Sequence, residues 1–156
     1  MKKWSVVLVA IVLAIAQLTW PVFLNLFNCK PDLLLALSIV LVFYLDFKIA
    51  LVFAVFCGLL KDVFLPSPVA LNAILFSLWS YLIHKLSTQI STENDVVRLG
   101  IVLVVVFLNN IIMGSLSINA GNIIPIFIFL RNLIIPTFYT AAVFPLVFKL
   151  IKKITA

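Results

Sequence analysis

Long apolar runs interrupted by a few short polar breaks make up this chain, and the run lengths predict its elements. A helix crossing a bilayer needs about 20 apolar residues, or fewer if it tilts or the bilayer thins. On that ruler the pattern predicts six spans, at residues 4–21, 32–45, 49–65, 69–83, 96–116 and 125–151. Residues Asn25 to Pro31 form the exit from the first. Pro31 and Asp32 suit a first helical turn, because proline fixes φ and an acid complements the positive end of the helix dipole. Asp46, Phe47 and Lys48 separate the second span from the third. Pro66, Ser67 and Pro68 end the third, since each proline removes an N–H donor and forces the residue before it to be extended. His84 to Arg98 is the longest polar stretch and reads as a loop, in which Ser91, Thr92, Glu93 and Asn94 offer helix-capping chemistry. Asn119 to Asn122 has the composition of a turn. Pro125 can start the last span, which carries Pro136 and Pro145 inside it, with a kink expected at Pro136. A five-span alternative fuses the second and third runs, and it would leave Asp46 and Lys48 in mid-membrane at a cost of several kcal/mol.

Composition narrows the class further. Of 156 residues, 65% are hydrophobic and 10% charged, against about 45–50% apolar and about 25% charged in a soluble domain. The 16 charged side chains, 11 basic and 5 acidic, cannot clothe a soluble core of this length. The expectation is an all-α polytopic membrane protein with six transmembrane helices in one bundle, a single integral membrane domain over 1–156. A net charge of +6 does not point to nucleic acid, because basic residues beside apolar segments follow from insertion topology. Counted over six spans with the amino terminus inside, Lys2, Lys3, Lys48, Lys85, Arg98, Lys149, Lys152 and Lys153 fall on the inner side. Lys30, Lys61 and Arg131 fall on or near the outer side, so both termini are expected in the cytoplasm. Cys29 and Cys57 lie at different depths and read as thiols rather than a disulfide. Lys2 and Lys3, an apolar run and Ala14-Ile15-Ala16 have the form of a signal peptide, but the run continues to Phe27, beyond a typical h-region of about 7–15 residues, which favours an uncleaved first span.

The charges within the spans are few and specific. Stepping back by four from Asp62 gives Gly58, Ala54 and Ala50, a stripe of small side chains ending in a carboxylate, along which another helix backbone can approach closely. At about 1.5 Å per residue, Asp62 lies about 21 Å from the Lys48 boundary and Arg131 roughly 9 Å below the opposite one, so the two share a layer of the outer half. Gln17, Asn72 and Asn132 fall in the same layer, and Asn109 and Asn110 nearer the middle. An ion pair between Asp62 and Arg131 is expected, with Lys61, rotated about 100° from Asp62, facing another neighbour or the headgroups. Such a layer can fix the bundle, form a partner-binding groove, or bind a ligand or ion. A single histidine, His84, and a single glutamate, Glu93, provide no catalytic or metal constellation, so no enzyme, metal or cofactor is expected.

Four motifs carry a resemblance. Pro31-Asp32-Leu33-Leu34-Leu35 starts the second span, Gly58-Leu59-Leu60-x-Asp62 closes the third, Pro68-x-x-x-Asn72-Ala73 opens the fourth, and Pro136 sits midway through the last. In order and spacing they resemble the bacterial rod shape-determining MreD family over nearly the whole chain. Val69 or Ala70 stands where the family pattern has a glycine after the Pro68 turn, and Thr140 where it has an asparagine four residues after the last-span proline. The resemblance implies a non-enzymatic multi-pass scaffold of the cell-elongation (rod-shape, peptidoglycan synthesis) complex in the bacterial inner membrane. It also implies binding to the bitopic protein MreC and, through it, to MreB, RodA and a class B penicillin-binding transpeptidase. The family's six helices look like the substrate-binding subunits of energy-coupling-factor transporters, so a vitamin-type transport subunit is the alternative, with Ala10 and Ala14 resembling a coupling motif. Against it, the short Asn119–Asn122 turn offers few convergent polar groups for a ligand. An ion conductor through Asp62 and Arg131 would need a ladder of ionisable groups that the sequence lacks.

Overall fold

The structure, a computed structural model, describes residues 3–24, 29–64 and 71–155. Among these the fold is all-helical: α1 Lys3–Leu18, α2 Leu33–Tyr44, α3 Phe47–Phe64, α4 Leu71–Gln89, α5 Asp95–Asn119 and α6 Ile126–Thr155, with a short 3₁₀ turn at Val22–Leu24. The six elements follow the six predicted runs, and α2 and α3 are separate helices. The exit loop at 25–28 and the Pro66–Pro68 turn lie outside the described residues.

Local chemistry explains most boundaries. Asp32 caps α2, its Oδ1 accepting the Leu35 N–H at 3.1 Å, and Leu45 stops the helix by turning extended. Asn94 caps α5, accepting the Val96 N–H at 3.0 Å. At the far end of α5, Gly121 has φ +93° and its N–H bonds the Ile118 carbonyl, while the Asn122 N–H reaches Ser117. This is a Schellman closure, and it needs the left-handed residue that glycine supplies at no steric cost. The loop expected over His84–Arg98 is much shorter: α4 runs on to Gln89, leaving 90–94 between α4 and α5. Polar composition misread this segment, since His84 stacks on Phe47 at 4.5 Å and Ser87 and Thr88 bond back to the carbonyls of His84 and Lys85. Helix α6 continues through Pro136 and Pro145 as one element.

The short helix α2 is the centre of the bundle. Residues Leu33 through Val42 are all buried, and α2 packs against each of the other five helices. Twelve residues rise only about 18 Å, short of a bilayer core of about 30 Å, so α2 is enclosed by protein rather than being a free-standing span. Helices α3 and α4 make the closest pair. A Cβ on Gly58 would lie 2.4 Å from the Ala73 Cα, so the two backbones touch there. Ala50 and Ala54, on the same stripe, are fully buried. The small-residue slot is therefore filled at Gly58 by α4 of the same chain.

The outer surface is apolar. Helices α5 and α6 are both long and apolar enough to cross a bilayer, yet only 22% and 28% of their most apolar windows are buried. Exposed Trp4, Leu8, Val104, Ile126, Phe127, Phe138 and Leu146 extend the same character around the bundle. Apolar helices that stay uncovered suit a hydrocarbon solvent, in which packing and polar contacts rather than hydrophobic burial hold helices together.

Candidate functional site

One end of the bundle gathers a set of shielded polar groups. Asp32 does two jobs: Oδ1 caps α2, and Oδ2 forms an ion pair with the Lys61 ammonium of α3. Both side chains are 12% exposed, so the pair is largely shielded from water. The Lys61 Nζ also lies 5.5 Å from the centre of the Phe76 ring on α4. The start of α2 is held from two more sides, by the Asp32 N–H donating to Thr140 Oγ1 at 3.0 Å and the Leu34 N–H donating to Gln17 Oε1 at 3.2 Å. These N–H groups belong to the first turn, where a helix has no partners of its own, so α1 and α6 satisfy what α2 cannot.

Asp62 serves α4 in the same way. Its carboxylate accepts the Asn72 N–H at 3.2 Å, the Asn72 Nδ2 at 2.8 Å and the Ala73 N–H at 3.2 Å. A negative charge across the positive end of a helix is favourable, and here it fastens the end of α3 to the start of α4 one turn beyond the Gly58 contact.

The expected pairing of Asp62 with Arg131 is not what the structure forms. Asp62 is engaged with α4, and at this end of the bundle the cation that meets a carboxylate is Lys61, through Asp32. Arg131 instead sits against Cys29, whose thiol also donates to Asn132 Oδ1 at 3.7 Å. Burial pushes the Cys29 thiol up, and the charge and hydrogen bond of Arg131 pull it partly back. Both cysteines are thiols. Depth placed Asp62 and Arg131 in one layer, but a layer crosses six helices, and the rotation of α3 turns Lys61 toward α2 and Asp62 toward α4.

These groups border a cleft of about 460 Å³. Its walls include Gln17 of α1, Asp32, Lys61, Asn110 of α5 and Pro136 of α6, with exposed Lys30 also lining it. Pro136 has no N–H to give the Asn132 carbonyl one turn back, and the neighbouring Thr137 hydroxyl donates to Leu133 at 2.6 Å while accepting from Asn110 Nδ2 at 3.3 Å. Deeper in the bundle, Trp79 Nε1 donates to Asn109 Oδ1 at 3.1 Å. Of the residues singled out from sequence, Pro31, Asp32, Lys61 and Pro136 meet at the cleft, whereas Gly58, Ala54, Ala50, Asp62 and Asn72 belong to the α3–α4 joint and its stripe. Thr140, which stands where the family pattern has an asparagine, accepts the Asp32 N–H through its hydroxyl, a bond that an amide oxygen could also accept. The cleft's ion pair is internally neutralised, and among the described residues no three His, Cys, Asp or Glu side chains gather as a metal site.

A family profile described as rod shape-determining protein MreD matches residues 1–154. The chain belongs to the MreD family. The family assigns it a role in rod shape determination, and with the two exposed apolar helices it is a membrane protein. Comparison with curated proteins and with solved structures gives no match. Within this MreD-family chain the motifs acquire physical roles: Pro31-Asp32 starts and anchors α2, Gly58 and Asp62 seat α4, and Asn72 receives them.

Proposed function

We propose that this chain is a non-enzymatic, multi-pass scaffold of the bacterial cell-elongation complex, a single domain in the inner membrane with both termini cytoplasmic. It binds an MreC-like bitopic protein and is joined through it to MreB, RodA and a class B penicillin-binding transpeptidase. The observation that carries the reading is the family match over residues 1–154. The orientation is supported by charge: Lys48, Lys85, Arg98, Lys149, Lys152 and Lys153 lie at one end of the described bundle, against Lys30, Lys61 and Arg131 at the other. Co-purification of the full chain with an MreC-like partner tests the scaffold, and its absence in cells that express both would refute it. Cysteines placed at 90–94 and after Lys153 should be labelled from the cytoplasmic side alone; labelling from outside would overturn the orientation.

The cleft gives a specific reason to keep a second reading, a vitamin-type transport subunit, because about 460 Å³ falls within the roughly 300–1,000 Å³ of small-molecule sites. A tight ligand would stabilise the protein by mass action. The scaffold reading expects no vitamin-sized adduct in a native mass spectrum of the purified protein, and a stoichiometric one would favour transport.

A further inference from the structure

At the opposite end from the cleft, α5 begins beside the closing turns of α6, and a small notch of about 110 Å³ opens between them. At about 30 Å³ per water it holds roughly four waters, far below the room a small-molecule ligand needs and suited to one compact ion. Two cations and one carboxylate line it, Arg98 and Asp95 of α5 and Lys149 of α6, with apolar walls from Leu99, Phe144 and Phe148.

Arg98 is fixed rather than waving. Its guanidinium lies 4.8 Å from the centre of the Phe148 ring and 5.9 Å from that of Phe43, and Nη1 donates to Asp95 Oδ1 at 3.1 Å. Asp95 is 85% exposed and three residues away, so this is a solvated surface pair, and with Lys149 the notch keeps a net positive charge. Nε is buried with no acceptor among the described residues. A planar cation stacked on aromatic rings, with donors to spare, is pre-organised for the oxygens of a phosphate. Lys149 adds an exposed positive charge, and Lys152 and Lys153 continue its face of α6 one turn further on. Beside the notch, Val96, Leu146 and Leu150 are 72%, 67% and 45% exposed, an apolar surface along which acyl chains can lie.

We propose that the notch between the start of α5 and the end of α6 binds a phosphate group, supplied by the headgroup of an anionic phospholipid, with Arg98 and Lys149 as its ligands. Basic recesses between transmembrane helices at the membrane surface take anionic headgroups in this way. The site is independent of the partner reading, since it rests on these side chains alone.

The test is native mass spectrometry of the purified full-length protein titrated with phosphatidylglycerol or phosphatidylcholine. The wild type is expected to retain phosphatidylglycerol preferentially. Lys149→Gln should weaken that preference about fivefold, the equivalent of roughly 1 kcal/mol per basic residue near an anionic surface. Arg98→Gln should weaken it more, and Arg98→Lys, which keeps the charge and loses the planar stack, by an intermediate amount. Lys85→Gln, an exposed lysine on α4 at the same end, should leave it unchanged. Should Arg98→Gln fail to fold, the comparison of Lys149→Gln with Lys85→Gln still decides. Equal losses at Lys85 and Lys149 would mean diffuse surface attraction and overturn the site, as would no preference for phosphatidylglycerol together with no competition by millimolar inorganic phosphate. Competition by millimolar inorganic phosphate, without any lipid preference, would keep the phosphate site but refute the lipid as its source.

Discussion

Neutralising Asp32 and Lys61 singly and together separates the two jobs that the Asp32 carboxylate performs. Asp32→Asn leaves a side chain that still caps a helix well, so the bond to Leu35 survives, but it strands the Lys61 ammonium in a site only 12% exposed. Breaking a buried pair by removing one member costs about 3–5 kcal/mol, and the remaining exposure to the cleft argues for the lower end of that range. Lys61→Met removes the cation, keeps much of its apolar stem against Phe76, and leaves Asp32 favourably placed at a helix N-terminus, so it should cost less, about 1–2 kcal/mol. The double neutral variant should recover most of the loss, because replacing both members of a buried pair by uncharged residues is often near neutral. Exchange of the charges should not recover it: Asp32→Lys would destroy the cap and set a cation against the positive end of α2. The assay is thermal unfolding in one detergent, where about 1 kcal/mol moves Tm by roughly 2–4 °C for a chain of this size class. If the double neutral variant falls as far as the two single losses added together, the residues are not coupled and the proposed geometry of the cleft is wrong.

Three further outcomes test other parts of the structure. Gly58→Ala should destabilise by about 1–3 kcal/mol, because the new methyl meets the backbone of Ala73, whereas Gly100→Ala, with nothing within 4 Å, should stabilise its helix by up to about 1 kcal/mol; equal melting shifts for the two would disprove the close α3–α4 approach. Asp62→Ala should speed hydrogen exchange at Asn72 and Ala73, and combining it with Arg131→Gln should give simple additivity in unfolding measurements, since the two do not touch; a coupling above about 0.5 kcal/mol would restore the pairing rejected above. The rate of Cys29 alkylation should rise only at a pH above that of an ordinary thiol, because burial disfavours the reactive thiolate. Arg131→Gln, by removing a cation that favours the thiolate, should move that profile higher still, and a downward move would show that Arg131 is not beside Cys29.

The number of helices and most of their ends follow from local order in the chain, because these depend on neighbours along it. Run length, the Asp32 and Asn94 caps, the break at Asp46 and the left-handed Gly121 are all local devices. Even there, a segment rich in Ser and Thr has the composition of a loop although α4 continues to Gln89, because the contact that supports it, Phe47 on His84, joins residues 37 apart in the chain. The sequence also singled out Gly58, Asp62, Lys61 and Asp32 as residues too costly or too small to be incidental in such a chain. What each of them meets was decided only in three dimensions. Helical rise gives depth, but partner choice depends on how each helix is rotated and which one lies in the middle, and neither follows from spacing. Placing the short α2 at the centre brings Asp32 to Lys61, frees Asp62 to seat α4, and leaves Arg131 to Cys29, so the same charges make a different set of bonds from the one that depth alone suggested.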